Sequence, residues 1–170
     1  MRALVVVESI FGNTRQIGEA VAAGIARHME VDVVGVVDAP DTVKGVDLLV
    51  VGGPTHAFGM TRMGTRTAAA EQSGGSVSAD PVGLREWLLT LSVTPTAAAT
   101  FDTRMDKLRL PGSAAGGAAK RLRKRGFRML ARPESFRVAG TQGPLRAGEL
   151  DRAREWGDAL ATLLVTTQPV

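Results

Sequence analysis

The chain has 170 residues, the length of one domain, with 44% hydrophobic residues, 22% charged residues and a net charge of +4. It contains no cysteine, which excludes disulfides and iron–sulfur ligation, and its two histidines are too few to favour a zinc site. No apolar run reaches the ~20 residues that span a bilayer, and the N-terminus lacks the pattern of a signal peptide. We therefore expect a single cytoplasmic domain over residues 1–170.

Apolar strands alternate with amphipathic helices along the chain. Residues 3–7 have the pattern of a buried strand, and residues 13–29 place apolar side chains at i, i+3, i+4 and i+7 of a helix. The alternation predicts a mostly parallel sheet covered by helices on both sides. The other predicted elements are strands over 31–37, 47–51, 95–101 and 129–138, and helices over 84–91, from Ser113 to Gly126, and over 147–164.

Residues 60–82 interrupt this alternation. The segment contains Ala68, Ala69 and Ala70, then Gly74 and Gly75, with little apolar periodicity. We predict a long flexible excursion that leaves the sheet at the same end as the first loop.

The first strand ends in a loop of short polar side chains. Ser9, Asn13 and Thr14 supply donors, and Gly12 allows the backbone to turn tightly. A helix N-terminus directs unpaired N–H groups and the positive end of its dipole toward an anion. The loop therefore predicts a phosphate site held by neutral donors, and an ordinary strand-to-helix turn with Asn13 as the N-cap is the alternative.

Residues 9–14, with the sequence Ser-Ile-Phe-Gly-Asn-Thr, resemble the phosphate loop of flavodoxins, which are small FMN proteins. Residues 53–59 and 101–104 lie where that family has its second and third flavin loops. The resemblance covers nearly the whole chain. It implies an α/β fold, a flavodoxin-like three-layer sandwich with a five-stranded parallel sheet in the order 2-1-3-4-5, helices on both faces and FMN at the carboxyl ends of the strands.

The resemblance also implies which residues hold the cofactor. Ser9, Thr14 and the backbone from Ile10 to Asn13 would bind the phosphate, and the second and third loops would lie along the two sides of the flavin ring. The implied cofactor-binding residues are Ser9, Ile10, Phe11, Gly12, Asn13, Thr14, Pro54, Thr55, His56, Ala57, Phe58, Gly59, Phe101, Asp102, Thr103 and Arg104. We predict no catalytic residue and no metal ligand.

The aromatic residues depart from the family pattern. Many flavodoxins place the flavin ring between a tryptophan and a tyrosine, but this chain has no tyrosine, and both of its tryptophans fall on predicted helices. Phe58 and Phe101 are the available substitutes, although Phe101 also suits the core. His56 could hydrogen-bond to the flavin or pass a proton to a substrate, or it could be a loop histidine with a packing role.

Other nucleotide-binding and signalling classes lack their motifs here. No Gly-x-Gly-x-x-Gly follows the first strand, and no Gly-x-x-x-x-Gly-Lys-Ser/Thr occurs, which excludes the dinucleotide-binding and P-loop motifs. The third strand runs into Gly52 and Gly53 without an aspartate, which excludes a receiver domain.

Positive charge is concentrated in one part of the chain. Residues 104–137 contain eleven Lys and Arg against Asp106 and Glu134, a net of +9, so the remainder carries −5. The run from Lys120 to Arg125 has no interleaved aromatic residues, which favours a solvated face or a docking patch for an acidic partner over a nucleic-acid site.

Three functions remain open at this point. We favour an FMN electron carrier that exchanges electrons with a redox partner protein. The basic run is compatible with an acidic partner. An FMN-dependent NAD(P)H:quinone-type reductase and a flavodoxin-like binding module without flavin are the alternatives. The sequence indicates no membrane partner and gives no oligomeric state.

Overall fold

A twisted sheet of parallel strands forms the centre of the molecule, whose computed structural model describes residues 1–77, 79–92, 94–106 and 111–167. The strands follow the order β2-β1-β3-β4-β5, and β6 also pairs with β4. This order confirms the predicted fold class, to which β6 is an addition. The strands are β1 (Arg2–Val7), β2 (Glu30–Gly35), β3 (Leu48–Pro54), β4 (Ala97–Met105), β5 (Arg128–Met129) and β6 (Glu134–Val138).

Helices cover both faces of the sheet, as predicted. They are α1 (Asn13–Ile25), α2 (Met63–Gln72), α3 (Leu84–Thr90), α4 (Ala114–Lys124) and α5 (Glu149–Thr167). Apolar residues of α1 and α5 pack on one face of the sheet, and those of α3 and α4 pack on the other. None of the helices in the described residues is both long enough and apolar enough to cross a membrane.

The predicted fifth strand is divided into two short strands. Met129 lies opposite Ala98 and Glu134 lies opposite Phe101, so four residues oppose only two on β4 between these points. Pro133 falls in that interval and has no N–H to donate to the neighbouring strand. The chain therefore bulges away from β4 and returns to it without changing the strand order.

The segment over residues 60–82 contains α2, which its apolar pattern did not predict. Within α2 only Arg66 and Ala69 are buried. A helix with three consecutive alanines and one methionine as its apolar residues leaves almost no amphipathic signal. The flexibility of the excursion stays a prediction.

A polar cluster, buried except for Glu86, connects this segment to the end of β1. Glu8 accepts hydrogen bonds from the Thr61 hydroxyl and, at 2.7 Å, from the Leu84 N–H. The Arg66 guanidinium is only 2% exposed and donates to Thr61 Oγ1 at 3.0 Å. It also lies 3.2 Å from the Glu86 carboxylate. The polar cluster, Glu8–Thr61–Arg66–Glu86, therefore links the first loop, α2 and α3.

Burial raises the pKa of Glu8 above its ordinary value of 4.5, against the hydrogen bonds from Thr61 and Leu84 and the charge of Arg66. A carboxyl group whose pKa is raised by folding stabilises the protein below its unfolded pKa, and this contribution is lost as the pH rises through the folded pKa. We therefore expect the free energy of unfolding of the wild type, relative to Glu8→Gln, to fall as the pH rises from about 4.5. Urea unfolding of both proteins across that range measures the difference, and parallel pH profiles would contradict it.

Candidate functional site

A cleft lies at the carboxyl ends of β1, β3 and β4, where the strand order reverses between β1 and β3. Open α/β sheets bind ligands at this switch point. Three loops and the end of β6 form its walls. The lining residues are Ile10, Phe11, Asn13, Thr14, Pro54, Thr55, His56, Ala57, Phe58, Thr103, Arg104, Met105, Gly112, Val138 and Thr141.

The first loop presents free backbone donors to the cleft. Within the described residues, none of the five consecutive N–H groups from Ile10 to Thr14 donates to a protein acceptor. Gly12 makes this possible because its φ of +87° is a left-handed conformation that turns the chain just before α1. Successive N–H groups arranged in this way at a helix N-terminus form an anion-binding concavity.

Side chains of the first loop hold its shape. Ser9 Oγ accepts the N–H of Arg15 at 3.2 Å, so this hydroxyl caps the first turn of α1. Asn13 does not cap the helix, because Gly12 occupies the N-cap position and Asn13 is the first residue of α1. The side chain of Asn13 instead donates from Nδ2 to the Gln142 carbonyl at 3.1 Å. The assignment of Asn13 as the N-cap is therefore wrong, and Asn13 instead ties the first loop to the turn after β6.

Two buried hydroxyl groups connect the first and third loops. Thr14 Oγ1 lies 2.7 Å from Thr103 Oγ1, and both side chains line the cleft. A hydroxyl group has one hydrogen, so a single hydrogen bond between the two leaves one hydrogen for a further acceptor. The pair can therefore donate to a ligand while it holds the loops together.

The second loop makes a tight turn in an unusual backbone conformation. His56 and Gly59 exchange backbone hydrogen bonds of 2.9 and 3.1 Å around Ala57 and Phe58. Both central residues have positive φ, 43° and 73°, which costs a residue with a side chain about 1–2 kcal/mol. The turn leaves Phe58 at the edge of the cleft with 52% of its surface exposed. Burial lowers the pKa of His56, so its imidazole is neutral at pH 7 and can both donate and accept.

The buried side chain of Asp102 stabilises the second loop. Its carboxylate is completely buried and accepts the Thr55 hydroxyl at 2.9 Å and the Ala115 N–H at 3.1 Å, both at Oδ2. The Ala114 N–H in turn donates to Thr55 Oγ1 at 2.8 Å. Asp102 therefore joins the second loop to the N-terminus of α4. Among the described residues its Oδ1 has no hydrogen-bond partner.

The structure brings eleven of the sixteen predicted residues to the cleft wall. Phe101 is not among them, because its ring is 1% exposed and packs edge-on against Phe136 and Trp156 at centroid distances of 6.0 and 6.2 Å. Phe101 is a core residue, which corrects its assignment to the cofactor. The other predicted residues that do not line the cleft are Ser9, Gly12, Gly59 and Asp102.

Four lining residues were not predicted. Met105 lies two residues after Thr103 on β4, so alternation along the strand could have identified it. Val138 and Thr141 follow β6, whose carboxyl end reaches the same edge of the sheet. Gly112 lies so close to the second loop that a Cβ atom would meet the Phe58 carbonyl at 2.4 Å, and nothing in the sequence indicates this contact.

The described part of the chain contains no group of three His, Asp or Glu side chains placed to hold a metal ion. Among the described residues, the lining of the cleft is apolar with neutral donors, and Arg104 is the residue that carries a charge.

Known structures share the fold over its full length. Flavodoxin 1 from Bacillus cereus superposes with a TM-score of 0.67 at 14% identity, covering 99% of this chain and 100% of that one. A flavodoxin from Streptococcus pneumoniae gives 0.69 at 14% identity, covering 95% and 99%. A flavodiiron core from Synechocystis gives 0.66 at 17% identity, covering 99% of this chain but 37% of that one.

No protein-family model matches the chain, and no curated protein matches its sequence. The likeness to the solved structures therefore rests on the path of the backbone, and the chain has a flavodoxin-like fold.

Proposed function

We propose that the protein binds FMN in the cleft and carries electrons to a redox partner protein. The observation that carries this proposal is the run of five N–H groups from Ile10 to Thr14, none of which has a protein acceptor among the described residues. A phosphate group accepts several such bonds at once, and the dipole of α1 favours its charge. Two of the similar structures are flavodoxins matched over nearly their whole length, which agrees with the proposal.

The remainder of the cleft fits a flat, mostly apolar ring. Ile10, Phe11, Met105 and Val138 provide apolar surface, and Phe58 is the one aromatic residue at the cleft edge that is more than half exposed. Bound FMN supplies one- and two-electron redox chemistry, while the protein supplies binding, orientation and electrostatics.

Each loop has a separate task in this proposal. The N–H groups of the first loop and the Thr14–Thr103 hydroxyl pair bind the phosphate. The second loop covers one side of the ring with Phe58, and the neutral imidazole of His56 offers either a donor or an acceptor to the polar edge. Asp102 holds this loop in place through Thr55.

Titration with FMN, riboflavin and FAD, followed by flavin absorbance and fluorescence, tests the proposal. We expect FMN to bind more tightly than riboflavin, because only FMN has a phosphate for the first loop. Equal affinities for FMN and riboflavin would contradict a phosphate site in this loop. Steady-state oxidation of NADPH with a quinone distinguishes a carrier from a reductase, since a carrier should turn over only slowly.

Replacing Thr14 with alanine should weaken FMN binding about 10- to 150-fold. A hydrogen bond to a charged group contributes roughly 1.5–3 kcal/mol, and each 1.4 kcal/mol changes an affinity tenfold. Riboflavin binding should change by less than about threefold, because the substituted side chain is expected at the phosphate. The same titration measures both ligands.

Thr162→Ala is a matched control, since Thr162 is exposed on α5 and lies outside the cleft. It should leave both affinities unchanged. If Thr14→Ala weakened FMN and riboflavin equally, the threonine would support the ring or the fold rather than the phosphate.

A further inference from the structure

A second groove adjoins the cleft, and its wall is strongly basic. This basic groove lies between α3, α4 and the turn over residues 56–59, and it has a volume of about 740 Å³. It shares Phe58, Arg104 and Gly112 with the cleft. The basic side chains that line it are Arg85, Arg104, Lys120, Arg121 and Lys124, and no Asp or Glu is found among its described lining residues.

Two arginines of the basic groove, Arg85 and Arg121, are positioned by backbone carbonyls. Arg85 donates to the carbonyls of Met60 and Thr61 at 3.0 and 3.2 Å. Arg121 donates to the Arg85 carbonyl at 3.0 Å. These bonds use only part of the five donors of each guanidinium, and a neutral carbonyl does not cancel its positive charge. The groove therefore holds fixed cations whose remaining donors can reach an anion.

The like charges of the groove also oppose one another. Burial, followed by the charges of Arg121 and Arg62, lowers the pKa of Arg85, and Glu86 only partly opposes this effect from outside the groove. Lys120 and Lys124 are exposed one turn apart on α4, a spacing at which like charges destabilise a helix. An anionic partner would relieve this repulsion.

We propose that the basic groove docks the acidic face of the redox partner protein, with Phe58 as the apolar contact beside the cofactor cleft. The inference rests on the proposed function, because it places the partner next to the proposed FMN site. Exposed lysines around a half-exposed aromatic side chain form the polar rim and apolar centre of a protein interface. The groove is less suited to a nucleic acid, because Phe58 is the single aromatic residue among the described lining residues on which a base could stack.

Binding to an acidic plant-type ferredoxin, used as the probe, tests the docking site. We expect the wild type to bind this probe at about 20 mM salt and to bind it much more weakly at about 300 mM salt, where charges are screened. The Lys120→Glu/Lys124→Glu variant should bind about tenfold more weakly at low salt, because two attractions become repulsions. Surface plasmon resonance or calorimetry gives the affinities, with and without bound FMN.

The matched control is Arg123→Glu/Arg128→Glu, which changes the net charge equally at two exposed residues outside the groove. We expect its affinity for the ferredoxin to stay within about threefold of the wild type. An equal loss in both variants, or no binding by the wild type at low salt, would overturn the proposal. Tighter binding of single-stranded DNA or of NADPH than of the ferredoxin, lost in the groove variant, would overturn it in favour of those ligands.

The outcome separates this inference from the proposed function. FMN titration of both variants should match the wild type, because Lys120 and Lys124 do not line the cleft. A protein that binds the acidic probe but no FMN would contradict the proposed function and leave the docking groove standing. A protein that binds FMN but not the probe would contradict the docking groove and leave the proposed function standing.

Discussion

Replacing Arg66 with methionine should lower the free energy of unfolding by about 3–5 kcal/mol. The guanidinium is buried and donates to Thr61 and to the carbonyls of Asp80 and Pro81, at 2.9 and 3.1 Å. Methionine fills much of the volume but leaves these carbonyls without a donor and the Glu8 carboxylate without its nearby cation. Removing one partner of a buried ionic cluster typically costs this amount. Urea unfolding measures the loss.

Limited proteolysis should respond to the same substitution. The polar cluster holds residues 60–82 against β1, so cleavage within this segment should be faster in Arg66→Met than in the wild type. Arg62→Met is the control, because it makes the same change at an exposed residue of the segment and should cost less than about 0.5 kcal/mol. Equal effects of the two substitutions would mean that the buried cluster is not what anchors the excursion.

The alternation of elements could be predicted because each has a local signal. The apolar face of α1, with Ile17, Val21 and Ile25, is fully buried as its spacing predicts. The Ser113 hydroxyl caps α4 by accepting the Gly116 N–H at 2.9 Å, as its position before the helix predicts. The strand order, in contrast, is a long-range property, and it came from the resemblance to flavodoxins rather than from any periodicity.

The polar cluster could not be predicted because its members are far apart in sequence. Arg66 lies in an alanine-rich stretch between polar residues, a context typical of an exposed helix face. Its burial depends on Glu8, which precedes it by 58 positions in the chain, and on carbonyls beyond α2. The partner of a charged residue in such a position can be identified only once the fold is known.

The site was predicted in outline but not in the orientation of its side chains. The strand register fixes Phe101 and Thr103 on one face of β4 and Asp102 on the other. Phe101 then enters the core against Gly52, where a Cβ would lie 2.0 Å from its ring, while Thr103 reaches the cleft. The positive φ angles at Ala57 and Phe58 also lack a sequence signal, because such turns usually contain Asn or Gly.

Replacing Arg104 with glutamate should lower the potential of the second one-electron reduction of bound FMN by about 0.1–0.2 V at low ionic strength. This prediction rests on the proposed function. Arg104 lines the cleft and is partly buried, so its charge favours the added electron. A unit charge about 7 Å away contributes about 2 kcal/mol at an effective dielectric constant of about 20, or about 0.1 V for one electron. Charge reversal changes two units, and salt reduces the effect.

Potentiometric titration of the FMN-loaded protein measures the shift. Arg104→Gln should produce about half of the change, which separates charge from a local rearrangement. Arg123→Glu is the matched control, because Arg123 is exposed on α4 and does not line the cleft, and it should shift the potential far less. Two further cations that follow Arg104 in the sequence, Lys107 and Arg109, lie outside the described residues. Arg104 is the one cation among the described residues of the cleft wall, and we expect a less negative potential for this step than in flavodoxins with acidic surroundings. Equal shifts in Arg104→Glu and Arg123→Glu would place the flavin away from Arg104.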